Sequence, residues 1–265
     1  MANLLNRFIG SRIPETEAMD TVDEAETFDR LAERYLYIAE DLIVQMALAI
    51  APASGRFLEL CSGTARVPIK IAQLNPACEV VAVDYSGNMV QLARRNAARA
   101  TLTKRVQLIQ GDAKKLPFKD NFFDLVTCNH AIHHLADPVQ FFDEVARVVK
   151  HHGAILLIDL RRPPRTLIPA IVSMFGFGSE PLMRSLYRDS LRAAYTLPEL
   201  SDLLSKSHLN GAMIRTYFPG YVAIIKSAQV KQNVNKQLHI NPFTTLKSVL
   251  RAKWSGKSTI ATTTR

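Results

Sequence analysis

The chain has 265 residues, 48% of them apolar, and a formal net charge of +9. That is material for one sizeable core with short additions at each end, and it excludes a disordered or fibrous polypeptide. Three cysteines without paired spacing, Cys61, Cys78 and Cys128, exclude a disulfide framework and point to a reducing, cytoplasmic setting.

Charge is uneven along the chain: −6 over residues 1–55, +7 over 56–225 and +8 over 226–265. The first ten residues lack the charged, apolar and cleavage-site order of an export signal. Asp23 to Ile50 reads as one helix with Phe28, Leu31, Tyr35, Ile38, Leu42 and Met46 on its apolar face. From 56 to 159 apolar strands alternate with amphipathic helices, a pattern that implies right-handed strand-helix-strand units and a parallel sheet. The basic, proline-rich turn Leu160 to Arg165 leads into a helical insertion through Arg192. Thr196-Leu-Pro198-Glu199 then caps a helix to about Ser207. Ala212 to Phe218 and Tyr221 to Ile225, split by Pro219-Gly220, read as an antiparallel pair. Residues from about Lys231 are polar and expected to be mobile. Within them Phe243, Leu246, Leu250 and Trp254 fall on one helical side beside basic residues. That stripe suits either a peripheral contact with an anionic membrane or docking on the protein's own core. No segment reaches the length of a membrane span: Leu42 to Ala53 holds Gln45, and Thr166 to Phe177 is broken by Pro169 and Gly176. The expected division is a helical cap (1–55), an α/β domain (56–228) with its insertion at about 161–195, and a basic tail (229–265).

Chemistry concentrates where strands end. Phe57-Leu-Glu59-Leu-Cys61-Ser62-Gly63-Thr64-Ala65 is a strand closing on an acid and breaking into a turn of small residues before a helix. Small residues let the backbone approach a ligand, and the free N–H groups opening the helix favour an anionic group. Asp84 ends the next strand 21 positions beyond Gly63, the spacing of a carboxylate that accepts from ribose hydroxyls. A dinucleotide turn needs three glycines, and Cys61, Gly63 and Arg66 occupy those places, which disfavours a nicotinamide cofactor.

These residues resemble the class I S-adenosylmethionine-dependent methyltransferases, whose first motif is an acid followed by alternating small residues, here Glu59, Cys61, Gly63 and Ala65. The resemblance continues through Asp84, Tyr85, Ser86 and Met89, through Gly111-Asp112-Ala113 with Leu116-Pro117-Phe118, and through Asn129-His130-Ala-Ile132-His133-His134-Leu135 to Asp159. It covers about residues 56–160 and leans toward the small-molecule branch that includes ubiquinone and menaquinone biosynthesis methyltransferases. Cys61 and Ala65 depart from the family's first and third glycines. The resemblance implies a Rossmann-like, doubly wound, seven-stranded, mostly parallel α/β sheet with helices on both faces and a terminal antiparallel hairpin. It also implies S-adenosylmethionine as cofactor, held by Glu59, Cys61, Ser62, Gly63, Thr64, Asp84, Tyr85, Met89, Asp112, Ala113 and Asn129. Taken singly, each of these residues also fits a turn, a cap or a packed position.

Methyl transfer is a direct displacement, so the protein supplies alignment, desolvation and, where needed, proton removal. His133 is the first candidate base and His130 the second, with Asp159 as an orienting acid or alternative base; each also fits plain packing or capping. Asn129, His130 and His133 are expected to face the acceptor and His134 to be packed. No metal is expected, because no cysteine or acid stands at ligand spacing from the three histidines. Arg161, Arg162 and Arg165 suit either an anionic acceptor group or a solvated loop. The functional reading is a methyltransferase acting on a small-molecule acceptor. The alternatives are a nucleic-acid methyltransferase, against which stands the absence of an Asn-Pro-Pro-aromatic clamp at Asn129, and a cofactor-binding protein without methyl transfer.

Overall fold

The computed structural model describes residues 9–15, 21–135, 137–176, 178–217 and 220–226. Among them are seven strands: β1 (Gly55–Leu60), β2 (Cys78–Asp84), β3 (Val106–Gln110), β4 (Phe123–Asn129), β5 (Val149–Leu160), β6 (Met213–Tyr217) and β7 (Tyr221–Lys226). They form one sheet in the order β3-β2-β1-β4-β5-β7-β6, parallel except where β7 pairs with β5 and β6. The order reverses between β1 and β4, so the chain opens a crevice at the carboxyl ends of those two strands.

Alternation along each strand builds two cores. Phe57, Val80, Leu125 and Leu156 face α2 (Tyr37–Ile50), α3 (Arg66–Leu74) and α4 (Gly87–Arg99). Leu58, Val81, Val126 and Leu157 face α5 (Pro138–Val148) and, beyond it, α8 (Leu197–Ser205). Burying Phe141 and Phe142 completely on that second face stabilises the fold by roughly 1.5–3 kcal/mol each. The insertion after β5 consists of a short 3-10 turn, α6 (Ile168–Phe175) and α7 (Pro181–Ala193). Thr196 and Glu199 form the expected capping box at the start of α8.

One sequence expectation is corrected. The single helix from Asp23 to Ile50 is two, α1 (Val22–Tyr35) and α2, separated at Leu36. The halves serve different neighbours: Ala25 and Phe28 of α1 pack on Met89 and Leu92, whereas α2 lies on α3, with Glu40 bonded to Arg66 and Lys70. Helix α5 ends at Val148, because Val149 already pairs with Phe123 at the irregular start of β5. The tail expectations, including the stripe from Phe243 to Trp254, lie outside the described residues.

Candidate active site

The loop after β1 is built on left-handed backbone. Cys61, Gly63 and Ala65 have φ of 53°, 52° and 60°. Gly63 adopts this without strain, whereas a side chain there costs about 1–2 kcal/mol at each of Cys61 and Ala65. A Cβ built on Gly63 would meet nothing within 4 Å, so the loop presents open backbone at its tip. Asp84 holds that tip: one carboxylate oxygen accepts from Gly63 N–H at 2.7 Å and the other from Ser86 N–H at 2.9 Å. Burial pushes the Asp84 pKa up, against the opposing pull of these backbone donors.

A cavity of about 240 Å3 opens beside this loop, lined by Cys61, Val83, Asp84, Tyr85, Gly111, Asp112, Ala113, Lys114 and Leu135. Five of the eleven expected cofactor residues, Cys61, Asp84, Tyr85, Asp112 and Ala113, thus share one wall. Ser62, Gly63 and Thr64 form the adjoining loop; Met89 instead packs beneath α1. Glu59 lies behind the loop, 2% exposed, accepting hydrogen bonds from the Thr127 hydroxyl and the Asn129 amide. Burial pushes its pKa up to about 7 despite those two donors. Helix α1 closes over the loop through Asp29, which accepts from the Thr64 hydroxyl at 2.5 Å and from Asn96 at 3.4 Å.

At the ends of β4 and β5 stand the histidines. His133 is 1% exposed; its Nδ1 lies 2.6 Å from Asp159 Oδ1, and its backbone N–H donates to Asp159 Oδ2 at 2.8 Å. Burial alone would lower the pKa of His133, but the charge and hydrogen bond of Asp159, with Glu15 beyond, hold it above the ordinary value. Burial would likewise raise Asp159, but His133, His130 and the Leu160 N–H hold it below the ordinary carboxylate value. His130, at φ 53°, stacks on Tyr221 with ring centroids 5.3 Å apart, and burial lowers its pKa.

Three placements differ from the sequence reading. His133 is the packed histidine, and His134 is the exposed one. Arg162 is buried at 6%, its guanidinium donating to Ala194 O and Glu199 Oε1, so its charge is spent inside the protein, whereas Arg161 is exposed. The ground for expecting no metal is also revised, since an acid does stand by the histidines: Glu15 Oε2 lies 3.5 Å from His133 Nε2 and 3.8 Å from His134 Nδ1. With Asp159 on the other nitrogen of His133, the group reads as a charge cluster around that imidazole. Glu15 belongs to a strap, residues 9–15, that Arg12 fastens by donating to His133 O at 2.5 Å and to Ala193 O at 2.6 Å. Sequence reasoning missed Arg12, Glu15, Asp29 and Tyr221. Each is far along the chain from what it touches, and only Glu15 and Asp29 carry even the acid character that a site search uses.

Residues 58–157 match the family model described as a methyltransferase domain, the stretch that holds the loop, the cavity and the histidines. That stretch of the chain is a methyltransferase domain. A demethylmenaquinone methyltransferase of Lactiplantibacillus plantarum is 32% identical over 54% of this chain and 60% of its own length. The ubiquinone/menaquinone biosynthesis C-methyltransferase UbiE of Pseudomonas fluorescens is 26% identical over 71% of this chain and 76% of its own length. The match to the first of these relatives therefore spans less than two thirds of that protein. Among solved structures, a SAM-dependent methyltransferase from Aquifex aeolicus superposes with a TM-score of 0.57 at 17% identity, covering 77% of this chain and 97% of the other. The plantazolicin methyltransferase BpumL, solved with S-adenosylhomocysteine, does so with a TM-score of 0.61 at 15% identity over 85% of each chain. At such identities these two likenesses bear on the fold alone.

The methyltransferase domain's own residues fit its cofactor. The cavity is flanked by the open backbone of Gly63 and by two buried polar atoms without a hydrogen-bond partner, Ser62 Oγ and Asn129 Oδ1. Buried polar atoms left unpaired at a strand end are costly unless a ligand or water completes them.

Proposed function

We propose that the protein transfers the methyl group of S-adenosylmethionine to a small-molecule acceptor of the quinol type, at a ring carbon or a ring hydroxyl. The observation that carries this reading is the His133–Asp159 pair, 2.6 Å between Nδ1 and Oδ1, two residues from Leu135 in the cavity wall. The names of the curated relatives support the choice of acceptor class, and no observation favours a nucleic acid.

When bound, the cofactor supplies a methyl carbon activated by its sulfonium. Asp84, Asp112 and the Gly63 loop hold the adenosyl end. His133 Nε2, which makes no hydrogen bond and lies 3.5 Å from Glu15 Oε2, receives a proton from the acceptor hydroxyl. Asp159 holds Nδ1–H in the matching tautomer and stabilises the imidazolium that forms. The strap of residues 9–15 lies against His133, which is 1% exposed and so shielded from water. Arg161, just beyond Asp159, offers its guanidinium to an anionic or phenolate group. We further propose that the basic stripe from Phe243 to Trp254 makes a peripheral membrane contact; among the described residues no helix is long and apolar enough to cross a membrane.

The test is calorimetric titration of S-adenosylmethionine, S-adenosylhomocysteine and NAD, followed by a transfer assay on a short-chain demethylmenaquinol. Micromolar binding of the two adenosyl ligands alone, about −8 kcal/mol, weakened by Asp84→Ala, is expected. Binding of NAD alone, or of nothing, refutes the cofactor assignment. Cofactor binding without transfer to any acceptor favours a binding protein instead.

A further inference from the structure

Helix α6, Ile-Pro-Ala-Ile-Val-Ser-Met-Phe, carries no charge, yet only Ile168 of its eight residues is buried. Ile171 and Val172 pack partly against Leu160 and Leu191, whereas Pro169, Ala170, Ser173 and Met174 are exposed. Leu167, Met174 and Leu182 are 50%, 66% and 47% exposed. Scattered single apolar side chains are ordinary on a surface, but these three fall within sixteen residues and flank an uncharged helix. Around them Arg161, Arg165 and Arg184 are exposed, and residues 161–179 contain no acid. Glu180 is exposed at the start of α7, Asp189 is bonded to Arg188 and Arg192, and Glu15 and the buried Asp159 are turned to His133.

We propose that the α6 face, with Leu167, Met174 and Leu182, docks on an anionic lipid bilayer and draws a lipophilic acceptor from it. The acceptor part rests on the function proposed above; the docking part does not. Charge selects the occupant. A second copy packed symmetrically on this face would set like arginines against one another. Residues 227–265 of the chain itself hold seven basic residues and no acid, so they too are repelled. Anionic headgroups complement the arginines, while the apolar helix enters the acyl boundary. Position agrees: Asp159 is the next-to-last residue of β5, and Arg161, at the edge of this face, lies only two residues beyond it.

The experiment is co-sedimentation of the full chain with phosphatidylcholine vesicles, with and without about 30% phosphatidylserine. The expected result is binding to the anionic vesicles that weakens with salt, and a drop in partitioning of at least about tenfold in Met174→Glu/Leu182→Glu. Arg184→Glu should lose about fivefold. Leu74→Glu changes a leucine 63% exposed at the far end of α3, and should bind as the wild type does. Calorimetry with S-adenosylhomocysteine on each variant reports whether the fold and the cofactor site are intact, separating loss of docking from failure of the methyltransferase reading. Three results overturn the proposal: unchanged vesicle binding in the double variant, binding abolished by Lys247→Glu/Lys253→Glu but not by the α6 changes, or a vesicle-independent dimer that the double variant dissociates.

Discussion

Glu59→Gln tests the electrostatics beneath the cofactor loop without needing an acceptor. Glu59 is 2% exposed, and burial moves its pKa from 4.5 to about 7. The folded state therefore keeps a proton that the unfolded chain releases above pH 4.5. A carboxyl with a raised folded pKa contributes stability in acid that is lost as pH rises from about 4.5 to about 7, after which the curve levels. At 1.36 kcal/mol per pH unit, the loss is about 3 kcal/mol. Glutamine keeps the shape: its oxygen accepts from Asn129, and its amide donates to Thr127 Oγ1, whose hydroxyl already reaches Leu58 O at 3.2 Å. Urea unfolding followed by circular dichroism, at half-unit steps from pH 5 to 8, should show the wild type losing stability relative to the variant up to pH 7. Parallel curves for the two proteins would refute a proton held on Glu59, and with it the burial argument for this strand end.

Asp159→Asn should lower kcat by about 100-fold or more while leaving cofactor affinity unchanged. It should also move the acid limb of the pH–rate profile downward, because the charge that holds the His133 pKa above its ordinary value is gone; a limb that stays put argues that His133 is not the base. Arg161→Glu should raise the acceptor KM and leave the cofactor Kd alone, and equal loss of both counts against an acceptor contact. Gly55→Ala places a Cβ 2.5 Å from Asp124 Oδ2 at φ +138°, and Asp124 is itself anchored by Arg56 N–H and Lys150. Denaturant unfolding should show a loss of about 2 kcal/mol or more, and a smaller one would mean that the β1 start relaxes freely.

Much of the site was legible because its parts are local. Glu59 through Ala65 is one strand end and one turn, Asp84 and Asn129 close their strands, Asp112 follows the end of β3 by two residues, and Asp159 is next to last in β5. A repeating strand-helix rhythm brings such ends to one edge of a parallel sheet, so Asp84 followed from spacing, while Cys61, Tyr85, Asp112 and Ala113 of the cavity wall were implied by the family resemblance. What spacing could not rank were the three neighbouring histidines. Which ring turns inward depends on the 3-10 turn at 132–134 and on where the Asp159 carboxylate points, so His133 is the buried ring and His134 the exposed one. Arg162 likewise differs from Arg161 because the backbone just beyond β5 bonds the two to different partners, Tyr195 O and Gly220 O respectively, leaving one side chain toward Glu199 and one toward solvent.

The amino-acid order by itself determined the alternating α/β layout, the small-residue loop and the carboxylates that serve it, since these follow from backbone geometry and from a period of two or 3.6 residues. Tertiary structure alone decided that helix 23–50 would bend at Leu36, that Asp29 would seal Thr64, and that Arg12 and Glu15 would lie against His133. These depend on contacts between residues 35 to 121 positions apart, and no local pattern encodes which distant surface a buried charge will meet.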